Sequence, residues 1–223
     1  MPGRGLTLHG GLTTPDQARR LLARLGLRLP GRVILRAEMP PGGGAGSSTA
    51  ALVALARLAG FDGPPETLAR ACVAVEGATD PLMFPASERR LWASRIGETL
   101  AMLPELPRFE VLGGFFGPPQ RTRPGDDGFP DISDLVADWP GTDLGSMTAL
   151  VSDSAARTLR LRGDGDDPTA RLARDTGALG WLIAHTGSAR GLIFAPRSVP
   201  ADAPARLRAA GLRGIVQFRA GGA

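Results

Sequence analysis

The sequence contains no lysine and no tyrosine, and it has one cysteine and two histidines among 223 residues. Because Cys72 is alone, no internal disulfide can form, and His9 and His185 are too few for a histidine-based metal site. No apolar run reaches the roughly 18 residues of a membrane helix, and the N-terminus lacks the apolar core of a signal peptide. These absences predict a cytoplasmic protein with no membrane partner.

Acidic and basic residues are interspersed along the chain. All 26 basic residues are arginine, 22 residues are acidic, and the formal net charge is +4. The chain has no run of five basic residues and no ladder of aromatic residues between basic ones, which favours a solvated surface over a nucleic-acid interface. We therefore place an RNA-binding module third among the possible functions. It is based only on the excess of basic over acidic residues.

Hydrophobic periodicity in the first half predicts three helices, one strand and a hairpin. Cys72 falls on the apolar face of a helix that starts at Pro65, which predicts a buried, unreactive thiol. The other predicted elements of this half are a helix from Thr13/Thr14 to Gly26, a strand over 32–39, a helix over 47–58 and a hairpin turning at 96–98.

The second half predicts the order βαββαβ with one extra helix. This order is typical of a ferredoxin-like fold, an antiparallel sheet with helices on one face. We therefore predict an α+β protein with domains over 1–107 and 108–223, with 121–139 as a link or lid. The segments are a strand over 108–116, helices over 142–163 and 167–180, strand–turn–strand over 181–196, a helix over 200–211 and a strand over 212–220.

The segment "EMPPGGGAGSSTAALV" joins the predicted strand to an apolar helix through a glycine-rich loop. Free backbone N–H groups and the helix dipole make such a junction suitable for an anion. The hydroxyl side chains at 47–49 could cap the helix or contact phosphate or Mg²⁺. The loop is no Walker A motif, since it has no lysine, and it lacks the Rossmann spacing. Phosphate binding and a purely structural turn both stay open.

Three segments, in order, resemble the signatures of the GHMP kinases, a family of small-molecule kinases. "PPGGGAGSSTA" is similar to the second signature, with alanine and threonine in place of its leucine and final alanine. Its Ser-Ser-Thr-Ala ending resembles the L-threonine kinase of cobalamin and propanediol metabolism. "VAVEGATDPLMF" (73–84) resembles the segment with the family's metal-binding glutamate and catalytic aspartate, and "IAHTGSARGLIF" (183–194) resembles the third signature.

The resemblance implies a ribosomal-S5-domain-2-like N-terminal part, a ferredoxin-like C-terminal part, and an ATP- and Mg²⁺-dependent kinase. The acceptor would be a small hydroxyl-bearing metabolite such as L-threonine. Asp80 would orient or deprotonate its hydroxyl, and Ser47, Ser48 and Glu76 would hold Mg²⁺. A homodimer is compatible with the half-buried helix faces. The implied ATP contacts are Pro41, Gly42, Gly43, Gly44, Ala45, Gly46, Ser47, Ser48, Thr49, Gly187 and Ser188.

Each of these residues also has a structural interpretation. Glu76 could be a solvated helix-end glutamate, Asp80 a turn or cap residue, and the turn at 186–188 a plain hairpin. Arg190 could neutralise phosphate or lie on the surface, and His185 fits a packed strand position. Since the family's first signature has no counterpart here, the alternative function is a non-catalytic nucleotide- or phosphate-binding homologue, which would release no ADP.

Overall fold

The computed structural model describes residues 6–120, 125–126, 128–139, 141, 143–163 and 165–222. They form two compact units. The first contains the described residues of Met1–Met102 and Arg121–Asp126, and the second those of Leu103–Gln120 and Asp127–Ala223. Both units combine helices and strands, so the predicted α+β class is confirmed. Among the described residues, no helix is long and apolar enough to cross a membrane.

The first unit contains three helices and two separate two-stranded sheets within the described residues. β1 and β2 pair in parallel, with Leu6 opposite Gly31, and β3 and β4 form an antiparallel hairpin that turns at the predicted Gly97. The elements are β1 (Leu6–His9), α1 (Pro15–Arg24), β2 (Gly31–Ile34), α2 (Ser47–Leu58), α3 (Pro65–Glu76), a 3-10 turn (Ser87–Arg89), β3 (Arg90–Ala93) and β4 (Glu98–Met102).

The helices of the first unit start where local signals place them and pack around one apolar core. Thr14 caps α1 in a reciprocal capping box with Gln17, and prolines begin α1 and α3. Leu52 and Leu55 of α2 are fully buried in the core of this unit, and burying one leucine stabilises a fold by about 1.5–3 kcal/mol. This core fixes the approach of α2 to α3.

Cys72 lies fully buried in the same core, as predicted. Burial, followed by the charge of nearby Glu76, raises the pKa of the Cys72 thiol to about 12. Because the thiolate is the reactive form, this thiol stays protonated and inert at neutral pH.

The second unit is a ferredoxin-like domain. Its four strands are antiparallel in the order β6-β7-β5-β8, and α6 and α7 contribute to a core with Leu112, Leu192 and Phe194 of the sheet. The predicted βαββαβ order is confirmed. Its elements are β5 (Phe109–Phe115), α4 (Ser133–Asp138), α5 (Leu144–Arg162), α6 (Thr169–Thr176), β6 (Gly180–Ile183), β7 (Ala189–Phe194), α7 (Ala203–Ala209) and β8 (Arg213–Ala220).

Three details differ from the sequence prediction. The strand predicted over 32–39 stops at Ile34, because its partner β1 has only four residues and the ladder ends with it. β1 itself was missed, since four residues are too few to show an alternating pattern. The predicted link over 121–139 lies partly outside the described residues, and its described part contains the unpredicted short helix α4.

Glu110 is a buried carboxylate near the start of β5, an inner strand of the second unit's sheet, and is 4% exposed. It accepts hydrogen bonds from the backbone N–H of Arg197 (3.1 Å), from Nε2 of Gln217 (3.1 Å) and from Nε of Arg219 (3.3 Å). These donors, Arg197 N–H first, lower the pKa of Glu110 below its ordinary 4.5. The ionised carboxylate therefore joins β5 to β8 and to the turn after β7.

Glu110→Gln is expected to change the pH dependence of stability. A carboxyl with a lowered folded-state pKa stabilises the fold above its unfolded pKa, and this part is lost as pH falls through the folded pKa. The Glu110→Gln variant should melt below the wild type near neutral pH, and the difference in Tm should close below about pH 4. Thermal unfolding across this range, with exposed Glu98→Gln as control, tests it. Melting curves whose separation is the same at every pH would contradict it.

Candidate functional site

The glycine loop between β2 and α2 depends on left-handed glycines. Gly42, Gly44 and Gly46 have φ of 77°, 76° and 77°, a region that residues with a Cβ enter only at a cost in strain. The N–H of Gly43 closes one turn on the carbonyl oxygen of Pro40, at 3.1 Å. The glycines are thus required by the path of the backbone, which delivers the chain to the start of α2.

Helix α2 begins without a side-chain cap. Gly46 occupies the N-cap position, and its carbonyl oxygen accepts the N–H of Ala50 at 2.9 Å. The expectation that Ser47, Ser48 or Thr49 caps this helix was wrong. These three residues form the first turn of the helix and do not precede it. The backbone N–H groups of that turn are therefore not satisfied by a capping side chain, and N–H groups left in this way favour the binding of an anion.

The hydroxyl of Ser48 donates a hydrogen bond to Oε1 of Glu76. Glu76 is the last residue of α3, and Gly77 ends that helix with a φ of 81°. A carboxylate at a helix C-terminus is disfavoured by about 0.3–1 kcal/mol, whereas one near an N-terminus is favoured. Glu76 therefore lies at the negative C-terminal end of its own helix, α3, and also beside the positive N-terminal end of α2. The half-buried Glu76 is not the solvated glutamate of the structural interpretation.

Asp80 lies against the same helix start from the other side. Its backbone N–H donates to Oγ1 of Thr49 at 3.1 Å, and its Oδ2 lies 3.4 Å from that hydroxyl. A Cβ on Gly46 would come within 3.4 Å of Oδ2 of Asp80. This is an ordinary contact distance, so the φ of 77° and not the space beside Asp80 is what favours glycine at 46.

Lost hydration raises the pKa of Asp80 above 3.8, and the hydrogen bond from Thr49 opposes the rise. The residue as a whole is exposed, and its carboxyl group lies beside the backbone of Gly46. A more basic carboxylate is a better proton acceptor near neutral pH.

The side-chain groups at the start of α2 that could bind a metal ion are oxygen ligands. The Ser48 hydroxyl and the Glu76 carboxylate are hard ligands that suit Mg²⁺, which usually keeps several waters and binds one or two carboxylates together with phosphate oxygens. Ser47 is buried at the first position of α2, at 7% exposure. The residues fit a magnesium ion that is shared with a phosphate group. In the part of the chain that the structure describes, no group of three or more His, Cys, Asp or Glu residues forms a metal site by itself.

Gly187 and Ser188, the other predicted contacts of ATP, belong to the second unit and turn the chain from β6 to β7. The carbonyl oxygen of Ser188 accepts the N–H of Phe116 at 2.7 Å. Nη1 of Arg190 donates to the Gly187 carbonyl oxygen at 3.2 Å, and its Nε pairs with Asp167 at 2.5 Å. The role of Gly187 and Ser188 in binding ATP stays a prediction.

A pocket of about 120 Å³ opens beside this turn, within the second unit. Arg190 is 12% exposed at its side chain, so the surface position expected for an ordinary arginine was wrong. His185, expected as a packed strand residue, is exposed after the end of β6. The pocket lining includes Arg162, Asp167, His185, Gly187 and Arg190.

Sequence reasoning missed two residues that hold Thr79, the residue directly before Asp80. Nε1 of Trp92 donates to the carbonyl oxygen of Thr79 at 2.6 Å, and the N–H of Thr79 donates to the carbonyl oxygen of Ser94 at 3.0 Å. No pattern along the chain links the β3 hairpin to the segment before Asp80. The only signal was the tryptophan itself, whose indole N–H requires a partner when it is partly buried.

Comparison with known proteins identifies the class of fold. Residues 16–84, which contain the glycine loop, Glu76 and Asp80, match the family described as "GHMP kinases N terminal domain". Of the curated proteins, none matches this sequence. The structure resembles a homoserine kinase from Cytophaga hutchinsonii, with a TM-score of 0.52 and 18% identity, covering 99% of this chain and 82% of that one.

Two further solved structures share the fold. A 4-(cytidine 5'-diphospho)-2C-methyl-D-erythritol kinase aligns with a TM-score of 0.57 and 22% identity, covering 99% of this chain and 84% of the other. A phosphotransferase related to the CoA biosynthesis pathway aligns with a TM-score of 0.65 and 15% identity, covering 99% and 79%. The chain therefore has the GHMP-kinase fold, as predicted, with the family's N-terminal domain sequence over 16–84. The L-threonine kinase type stays a prediction.

Proposed function

We propose that this protein is an ATP- and Mg²⁺-dependent kinase that transfers the γ-phosphoryl group of ATP to the hydroxyl of a small molecule. The proposal rests on one observation. The glycine loop, the bond between Ser48 and Glu76, and the carboxyl group of Asp80 all lie at the start of α2. A phosphoryl-transfer site needs the same three elements, which are a phosphate cradle, oxygen ligands for a cation and a group that orients the hydroxyl.

The phosphates of ATP would lie on the loop from Pro41 to Thr49. The first-turn N–H groups of α2 carry the positive end of the helix dipole and are not capped by a side chain. In a chain without lysine, these N–H groups take the place of the ammonium group of a Walker A loop.

Ser48 and Glu76, with Ser47 next to them, would hold Mg²⁺. When bound, the ion neutralises charge on the phosphates and fixes their orientation. The protein prepares this arrangement, since Ser48 already fixes one oxygen of Glu76 and α3 carries the carboxylate to the start of α2.

Asp80 would accept the proton of the substrate hydroxyl. Its carboxyl group lies beside the loop that would hold the phosphates, and its partial desolvation makes it a stronger base than a solvated aspartate. Its attachment to Thr49 fixes its distance from the helix start, which orients a hydroxyl for in-line attack.

We propose L-threonine as the first acceptor to test. The Ser-Ser-Thr-Ala ending of the loop resembles the threonine kinases of cobalamin and propanediol metabolism. The structural likeness to a homoserine kinase points to the same chemical class, a small amino acid with a free hydroxyl, so L-homoserine is the second acceptor.

The test joins calorimetry with an assay of ADP release. The protein is expected to bind Mg-ATP with a Kd between about 1 μM and 1 mM, and to release ADP only when an acceptor alcohol is present. L-threonine, L-homoserine and other small alcohols are compared with L-alanine, which has no hydroxyl. Binding without ADP release for any alcohol would favour the non-catalytic homologue. An absence of binding would mean that the loop is a structural turn.

A further inference from the structure

Thr49 is a buried residue whose hydroxyl contacts Asp80 and its neighbour Thr79. It is 3% exposed, and its Oγ1 accepts the N–H of Asp80 at 3.1 Å. The same oxygen lies 3.4 Å from Oδ2 of Asp80 and 3.4 Å from Oγ1 of Thr79, which is also 3% exposed. A single side chain thus contacts both the backbone and the carboxyl group of Asp80.

The opposite side of this segment is held by the β3 hairpin. Trp92 and Ser94 fix both polar groups of the Thr79 peptide backbone, at 2.6 and 3.0 Å. The ring of Trp92 in turn packs edge-on against Phe84, with 5.4 Å between ring centroids. Thr79 is therefore anchored without Thr49, whereas the N–H of Asp80 depends on the Thr49 hydroxyl.

We propose that Thr49 is a positioning residue that fixes Asp80 beside the start of α2 through its buried hydroxyl. The inference rests on the proposed function, in which Asp80 orients the acceptor. The Thr49 hydroxyl acts on the acceptor through Asp80, while the backbone of Thr49 stays part of the loop that is proposed to hold the phosphates. A misplacement of about 1 Å in such a group lowers turnover by about a hundredfold, so one hydrogen bond to this loop residue is sufficient to matter.

Threonine suits the role of holding Asp80 better than valine or serine, the residues closest to it in size. Valine has the same shape but no oxygen to accept the N–H, and serine keeps the oxygen but loses a buried methyl group. Thr49→Val therefore removes the bond without leaving a cavity, and Thr49→Ser keeps the bond with a small packing defect.

The first measurement needs no activity. Amide hydrogen exchange, followed by NMR in the full chain, reports whether the N–H of Asp80 is bonded. In Thr49→Val we expect exchange at Asp80 to accelerate at least about tenfold, while the amide of Thr79, bonded to Ser94, serves as internal reference and changes little. Thr49→Ser should restore slow exchange. Equal acceleration at both amides would reveal general loosening and would overturn the proposal.

The second measurement separates positioning from folding. In Thr49→Val, kcat is expected to fall by about tenfold to a hundredfold, while the Kd of Mg-ATP changes less than about threefold. Thr49→Ser should recover most of the turnover. Thr176→Val, a buried threonine of α6 that bonds the carbonyl oxygen of Leu172, is the matched control and should keep the kcat of the wild type.

The two measurements distinguish failure of this inference from failure of the proposed function. A wild type without acceptor-dependent ADP release would refute the kinase proposal, and exchange at Asp80 would still decide whether Thr49 holds it. A Thr49→Val variant with normal kcat, or a Thr49→Ser variant as slow as Thr49→Val, would overturn the positioning role while leaving the kinase intact.

Discussion

Asp80→Asn is expected to lower kcat by about 10² to 10⁴ with little change in the affinity for Mg-ATP. Asparagine keeps the shape of the side chain and its place beside Gly46, but it cannot accept a proton from the acceptor hydroxyl. Because the affected step is proton removal and not nucleotide binding, kcat should fall while the Kd of Mg-ATP stays the same. Steady-state kinetics with calorimetry measure both quantities.

Stability distinguishes this effect from damage to the fold. The pKa of Asp80 is raised in the folded state, so its ionised form is disfavoured there and its contribution to stability is greatest at low pH. At neutral pH the uncharged asparagine should therefore be no less stable than aspartate. Asp62→Asn, an exposed position before α3, is the control. Full turnover by the Asp80→Asn variant would remove Asp80 from the mechanism.

Glu76→Gln is expected to weaken binding of Mg-ATP by about tenfold to a hundredfold. Glutamine can still accept the hydrogen bond from Ser48 through its amide oxygen, so the local structure should persist. What is lost is the negative charge that would hold the cation. The loss of affinity should therefore be large with Mg²⁺ present and small when ATP is titrated with a chelator.

The matched control is Glu66→Gln at the opposite end of the same helix. Glu66 is exposed in the first turn of α3, and its substitution should leave Mg-ATP binding unchanged. The free energy of unfolding of the Glu76→Gln variant should differ from that of the wild type by less than about 1 kcal/mol, since a carboxylate at a helix C-terminus is itself disfavoured. Equal loss of affinity with and without Mg²⁺ would refute a role as metal ligand.

The helices show how much the sequence could predict and why. Helices α2 and α3 were predicted correctly because prolines, glycines and apolar spacing act locally. The strand over 32–39 was predicted too long, and β1 was missed, because strand pairing depends on a partner distant in sequence. In the ferredoxin-like half, β5, β7 and β8 have 7, 6 and 8 residues, which is long enough for strands to be predicted from the sequence.

Within the site, sequence and structure decided different properties. The sequence by itself determined which chemical groups are present, since glycines before a helix, Ser48, Glu76 and Asp80 can be read in order along the chain. Only the tertiary structure decided which of them touch. It paired Ser48 with Glu76 and Thr49 with Asp80, and it left the start of α2 without a side-chain cap.

The physical reason lies in the range of the interactions. Helix propensity, glycine conformations and a reciprocal cap such as that of α1 depend on a few neighbouring residues, so they can be read from a short stretch. Contacts between residues about thirty positions apart, such as Thr49 and Asp80, depend on how the buried faces of α2 and α3 fit together. That fit is set by side-chain packing in the core, which no pattern along the chain records.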